Sequence, residues 1–344
     1  MSNNKPMTKN ALGFVLIDAP HSALNMGQAD PAAADENEIP VKAIRRDGKL
    51  IPYVSAQAWR YWWRNTLEAK FGWRMSPIIR ESKIAFTSAD PFTYPDDDVF
   101  GYMRALKNTE GGTLTRLSPL KTSPLISVLP QQPTNDFGVM ARHEGDPVPH
   151  EHQFYSTVLK GIFSLDLSSV GIFREMARTG YKNLDEKYTA KPQIKDAIAT
   201  AGATKEEGER WTLPKPERVK RASEVIGALP YLNGGAKLAL HLTDVTPKFI
   251  ILAIIQGGNH LFMNITSSEP SKLINTTALK QIITDYKDII LSDVFIGRLE
   301  GFQGDLKQEL ESLRQDLDGV KALHLLSPKP AVEKFTEALA GYID

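Results

Sequence analysis

Residues 41–71 read VKAIRRDGKLIPYVSAQAWRYWWRNTLEAKF, and two signals in them constrain local structure more than any other part of the chain does. Asp47-Gly48 suits a primed two-residue turn, which sets residues 40–46 and 49–54 on the two strands of an antiparallel hairpin. Pro52 has no backbone N–H and keeps the second strand at a sheet edge. Ser55 then offers an N-cap oxygen to a helix. On that helix Trp59, Trp62, Trp63 and Thr66 share one arc, and Gln57, Arg60, Tyr61, Arg64 and Glu68 share the opposite one.

The tryptophans, set opposite the arginines, read as core and not as a stacking surface for bases. The other arc carries Arg60 and Arg64 one turn apart, next to a hairpin with Lys42, Arg45, Arg46 and Lys49 near its tip. That surface suits a chain of phosphates, because each cation contact releases condensed counterions and guanidinium forks bind phosphate bidentately. Taken alone, the same residues serve equally as solvating charge around a core helix.

Composition narrows the alternatives. A chain of 344 residues, 42% of them hydrophobic, can bury a large core as one decorated domain or two small ones. It has no cysteine, hence no disulfide framework and no thiolate metal site, which fits a reducing cytosol. The N-terminus has no apolar signal core and no run of about 18 apolar residues occurs, so a soluble cytoplasmic protein without membrane contact is expected. Lys and Arg total 41, as do Asp and Glu. A nucleic-acid site therefore has to be local, not a basic coat.

Residues 12–18 form a buried strand stopped by Pro20, followed by a polar, small-residue loop at 25–38. A strand is expected at 82–88. At 90–105, DPFTYPDDDVFGYMRA places aspartates before an apolar run and reads as a capped helix. Adjacent Asp96, Asp97 and Asp98 do not converge on one ion. Residues 113–128 alternate prolines with apolar residues and read as irregular extended chain or an edge strand. Residues 129–150 exceed a simple connection and form a projecting hairpin or a loop, with Pro133, Phe137, Val139 and Met140 on an otherwise polar segment. Within it His143, His150 and His152, near Glu144 and Asp146, match no metal-site spacing. No metal or cofactor is expected.

A strand follows at 152–167, a charged helical elaboration at 181–211 and an amphipathic helix at 217–229. Asn233-Gly234-Gly235-Ala236-Lys237 is a turn whose exposed backbone can approach phosphate, although such turns also precede ordinary strands. Strands are expected at 237–242, 248–256 and 260–265, the last two as a hairpin across Gly257-Gly258-Asn259. A helix at 277–291, a strand at 294–299 and helices at 304–317 and 331–343 complete the chain. The pattern predicts an α+β, ferredoxin-like sandwich with helices to one side and several insertions. RNA-recognition modules use the same kind of sheet.

The tracts LIDAPHSALNMG, VKAIRRDGKLIPYVSAQAWRYWWR, LSPLKTSPLISV and NGGAKLALHLTDVTPKFI resemble the DevR-type backbone subunit of type I CRISPR Cascade effector complexes, subtype I-B. The resemblance spans roughly residues 12–265. It implies one hand-shaped domain: an RRM-like palm at about 11–70, 113–128, 152–172 and 217–300, a thumb hairpin at 129–150, and helical fingers at about 72–112 and 180–215. The C-terminal helices at 303–344 carry nothing diagnostic. It also implies that copies line up on guide RNA (crRNA), beside other Cascade subunits, and present it to target DNA in antiviral defence. Carried over by motif position, Ser55, Gln57, Arg60 and Arg64, with Lys42, Arg45, Arg46 and Lys49, would contact the guide backbone. Gly234, Gly235 and Lys237 would line the palm groove, and Pro133, Phe137, Val139 and Met140 belong to the thumb. No catalytic residue is implied.

Two other functions use the same residues differently. RNA-cutting relatives in another CRISPR class place an aspartate in the loop corresponding to 25–38, where this chain has Asp30 and Asp35. A carboxylate without a matched metal partner or positioned water does not suffice for a metal-dependent ribonuclease. The third reading is an interaction protein whose basic hairpin binds an acidic protein.

Overall fold

Strand β1 (Lys9–Ser22) is buried over most of its length because it lies inside a large sheet. The computed structural model describes residues 7–27, 38–81, 83–107, 109, 112–140, 144–146, 148–176, 182–206 and 209–344. After β1 the principal strands are β2 (Ala43–Arg46), β3 (Lys49–Val54), β4 (Leu120–Thr122), β5 (Leu125–Ser127) and β6 (Thr134–Met140). They continue with β7 (Val148–Asp166), β8 (Phe249–Gln256), β9 (Val294–Arg298) and β10 (Leu323–Leu326). The hydrogen-bonded order is β10-β9-β8-β1-β7-β5-β3-β2, and β4, β6 and the short strand Glu38–Ile39 also pair with β7. All these pairings are antiparallel except β9 with β10 and Glu38–Ile39 with β7.

Helices α1 (Ala56–Phe71), α2 (Pro95–Phe100), α3 (Pro192–Ala201) and α4 (Lys215–Gly227) are followed by α5 (Thr276–Asp285), α6 (Leu306–Asp316) and α7 (Pro328–Leu339). Successive side chains of a strand point to opposite faces, and β1 divides its own between two cores. Ala11, Val15 and Ile17 pack with α1, α4 and α7 through Trp63, Ile226 and Phe335. Leu12, Phe14 and Leu16 pack with α5 and α6 through Ile283 and Leu310. On the first face Trp59, Trp63 and Phe163 of β7 meet with ring centroids 5.2–6.5 Å apart. Each such ring pair adds about 1 kcal/mol beyond the area it buries. A third cluster joins Phe92, Tyr102 and Leu114 to Phe173, Tyr188 and Leu213, so the two segments expected to act as fingers share one core.

The expectation of helices to one side is corrected: both faces carry helices, because α5 and α6 turn Leu279, Ile283, Leu306 and Leu310 onto the second. Three strand expectations also change. Residues 237–242 hold a four-residue helix, Leu238–His241, between Lys237 at φ 55 and Leu242 at φ 45. Residues 260–265 hold a single 3-10 turn, Leu261–Asn264, so no hairpin crosses Gly257-Gly258-Asn259. Gly257 N instead donates to Thr8 O at 2.8 Å and Gln256 N to Ile289 O at 2.8 Å. Strand β1 runs past Pro20 to Ser22, with the register slipping between Ala19 and Ser22.

Pro52 does not lie on the edge strand. That place belongs to β2, and β5 reaches only Tyr53 and Val54 of β3, so Pro52 leaves no ladder bond unmade on that side. The helix expected at 90–105 shrinks to α2, whose aspartates are buried acceptors. Asp96 Oδ1 takes the Ser76 N–H at 2.9 Å, and Asp97 Oδ2 takes the Asp90 N–H at 2.9 Å. Asp98 pairs with Arg116 and, at 2.9 Å, with Arg221. With two guanidinium partners inside the core, Asp98 ties α2 to α4 and to the segment before β4.

Candidate nucleic-acid interface

Asn25 joins three of the tracts singled out in the sequence. Its carbonyl accepts Lys42 N at 2.8 Å, at the start of the basic hairpin. Its side-chain Oδ1 accepts Ser55 N at 3.0 Å, at the start of α1. The neighbouring Leu24 carbonyl accepts Ala236 N at 2.9 Å, inside the NGGAK turn. Nothing local in the sequence marked Asn25 as more than the first residue of a loop, because its partners lie far along the chain.

The hairpin forms as its turn residues dictate, with Asp47 at φ 50 and Gly48 at φ 75. Arg45, Arg46 and Lys49 are exposed and Lys42 is half-buried. Among the described residues Lys42 and Lys49 have no side-chain partner, while Arg46 reaches only Asp47, at 3.8 Å. Strand alternation sends Lys42, Arg46 and Lys49 to one face of the sheet and Arg45 to the other. The hairpin cations therefore do not act as one cluster.

Ser55 caps α1, its Oγ accepting Ala58 N at 3.3 Å, and Gln57 is exposed in the first turn. Trp59, Trp62, Trp63 and Thr66 are buried, as their spacing predicts, and Leu67 is buried beside them. Arg60 departs from the expected role of a free phosphate ligand. Its guanidinium donates to the carbonyls of Leu120 and Phe100 and to Ser118 Oγ at 2.9 Å, so it pins α1 to the end of α2 and the start of β4. Burial, and then the charge of Arg64, lowers its pKa to about 10. Arg64 lies over the Phe100 ring, 4.2 Å from its centroid. Burial lowers its pKa too, against the opposing pull of Asp96 and Asp97.

The NGGAK turn lies against α1. A side chain at Gly234 would overlap the Trp62 indole, so only glycine permits that approach. Gly235, at φ 122, sits where a Cβ would come 2.7 Å from Leu24 Cδ2. The contact leaves a cleft of about 520 Å³ lined by Tyr61, Trp62, Asn65, Lys70, Tyr231 and Asn233, among others. Lys70 Nζ stands 4.4 Å from the Tyr231 ring centroid at its wall. Sequence reasoning missed this cleft because Tyr231 and Lys70 carried no motif. Lys237 follows at φ 55 as the residue that starts the short helix.

Residues 134–140 and the first part of β7 form the hairpin that was expected as one alternative. Phe137, Val139 and Met140 are 66, 50 and 54% exposed, whereas Pro133 is buried at its base. His152 is buried there, 3.2 Å from Asp136, stacked with His150 and next to His241. His143, Asp30 and Asp35 lie outside the described residues. Among the described residues no group of three or more His, Asp or Glu could hold a metal ion, and no helix is long and apolar enough to cross a membrane.

A helix-flanked mixed sheet of this form is shared with two solved structures. One, titled a CRISPR RNA-guided surveillance complex, superposes with a TM-score of 0.52 at 11% identity, covering 96% of this chain and 99% of the other. A second, titled a CRISPR RNA-guided surveillance complex, pre-nicking, gives 0.55 at 12% identity with the same coverage. No curated protein matches the sequence. The family model of the CRISPR-associated negative auto-regulator DevR/Csa2 matches residues 20–270. The chain belongs to that DevR family.

Proposed function

We propose that this protein is a non-catalytic subunit of a type I CRISPR surveillance complex, of subtype I-B, that grips guide RNA by its backbone without reading its sequence. Copies line up along the guide and, with the other subunits of the complex in the cytoplasm, present it for pairing with target DNA. The sheet with α1 and α4 is the RRM-like palm, the lobe around Phe92 and Phe173 the fingers, and the β6–β7 hairpin the thumb. Asn25 and its neighbour Leu24 carry the reading: together they tie the base of the basic hairpin, the start of α1 and the NGGAK turn to one segment. Ser55, Gln57, Lys237 and the exposed hairpin cations then contact phosphates, which hold the strand without reporting base identity. Arg64 adds its charge further along the same helix, and Arg60 supports the site by fixing α1. Phe137, Val139 and Met140, exposed on both sides of a thin hairpin, form the contact with the guide and the next copy, an open-ended heterologous interface.

The test is sedimentation on RNAs of increasing length. The parent should add copies stepwise with length, and replacing residues 134–150 by a short Gly-Ser turn should leave a soluble monomer that no longer builds arrays. Identical arrays from both proteins would remove the hairpin from assembly, and absence of RNA binding by the parent would remove the function.

A further inference from the structure

On the face where α5 and α6 pack, the core thins beyond β1, where Val158 and Ile162 of β7 and Val128 and Leu129 after β5 pack against it only partly buried. Lys160 pairs with Leu16 of that core face and so points the same way. The register then sets Lys160, Ile126 of β5 and Tyr53 of β3 side by side. Further along, Ile51 pairs with Ile44 and Lys49 with Arg46. Lys42 continues the row, its carbonyl accepting Tyr53 N at 2.9 Å. On the far side of this row Lys121 of β4 pairs with Ser164, itself opposite Leu12, and so shares the face.

This less covered half therefore has Tyr53 and Ile126 at its middle beside buried Ile51, with Lys42, Arg46, Lys49, Lys121 and Lys160 around them. Tyr53, Ile126, Lys42 and Lys160 are half-buried, whereas Arg46, Lys49 and Lys121 are exposed. Lys160 Nζ donates to Met263 O at 3.2 Å, and Lys121 has no side-chain partner among the described residues. Asp18, opposite Val158, adds a carboxylate at the border. An aromatic ring amid apolar side chains, bordered by cations on an open sheet, matches a strand with unpaired bases: the ring takes a base face and the cations take phosphates. An acidic protein would use the cations but gain little from the ring.

We propose that a single RNA strand crosses this open half-sheet, one base stacked on Tyr53 and its phosphates on Lys49, Lys121 and Lys160. The assignment rests on the RNA-binding reading above and extends it to three residues outside the Asn25-centred site.

The test is anisotropy of a labelled single-stranded RNA titrated with the full chain across a salt series. Lys121→Glu with Lys160→Gln should weaken binding about ten-fold and flatten the logarithmic salt slope by about two. Tyr53→Ala should also weaken it about ten-fold, whereas Tyr53→Phe, which keeps the ring, should bind as the parent does. Parental affinity and slope in the charge variant, with Tyr53→Ala and Tyr53→Phe alike, would overturn the sheet-face path. If Lys237→Ala still weakened binding in that case, the Asn25-centred site would stand alone. A polyglutamate peptide that bound as tightly as RNA, and lost binding in the same variants, would give the face to an acidic protein and overturn the proposal.

Discussion

Asn25 Oδ1 accepts the backbone N–H of Ser55 at 3.0 Å, linking the end of the β1 tract to the first turn of α1. That N–H has no other acceptor in the helix, since the first turn leaves its donors open. Asn25→Ala is expected to cost roughly 1–2 kcal/mol of stability. In the folded variant RNA affinity should fall as well, because the start of α1 at Ser55 loses its side-chain tie to the segment whose main chain holds Lys42. Urea denaturation with anisotropy on the same samples checks both; full RNA affinity in a destabilised variant would separate Asn25 from the site.

Arg60 and Arg64 should separate in the same assays. Arg60 supplies three internal hydrogen bonds, and hydrogen bonds from a charged donor contribute more than neutral ones, so Arg60→Ala should lower stability by roughly 2–3 kcal/mol. Arg64, with a ring contact and the nearby charges of Asp96 and Asp97 but no hydrogen bond among the described residues, should cost about 1 kcal/mol on truncation. The measurement is the denaturation midpoint of each single variant at fixed slope. Equal, small effects from both would remove Arg60 as a clamp.

Asp96 gives a pH signature. Burial, and next the charge of Asp97, raises its carboxyl from 3.8 to about 6 in the folded chain. Between those values the native state holds a proton that the unfolded chain has released, so this group's favourable contribution is full below pH 3.8 and is lost as pH rises through 6. Asp96→Asn keeps the oxygen that accepts Ser76 N and removes the charge. The variant should therefore be more stable than the parent at pH 7–8, with the advantage vanishing near pH 4. A stability difference that does not change across that range would contradict the assignment.

Local chemistry made the hairpin and α1 readable in advance. Asp47 and Gly48 adopt the positive φ values their turn requires, Ser55 caps, and the tryptophan spacing fixes the buried arc. Long-range partners hid the rest. Arg60 looks like a surface cation until the carbonyls of Phe100 and Leu120, 40 and 60 residues away, are brought to it. Residues 237–242 alternate apolar side chains as a strand would. Lys237 and Leu242 instead take left-handed backbone, so the segment closes into one helical turn. The second sheet face was equally hidden: α5 and α6 have ordinary amphipathic periods, and no sequence feature says which face they cover.

On the proposed function the chain holds RNA by its phosphates at a local basic site, despite 41 positive and 41 negative side chains. The most direct measurement is the affinity of the parent and of the Lys42→Ala, Arg46→Ala, Lys49→Ala triple variant for two unrelated RNA sequences of one length, across a salt series. Equal affinities for the two sequences are expected, with the triple variant weaker on both alike and its logarithmic salt slope shallower by about two to three. A strong preference of the parent for one sequence, or an unchanged slope in the folded triple variant, would contradict it.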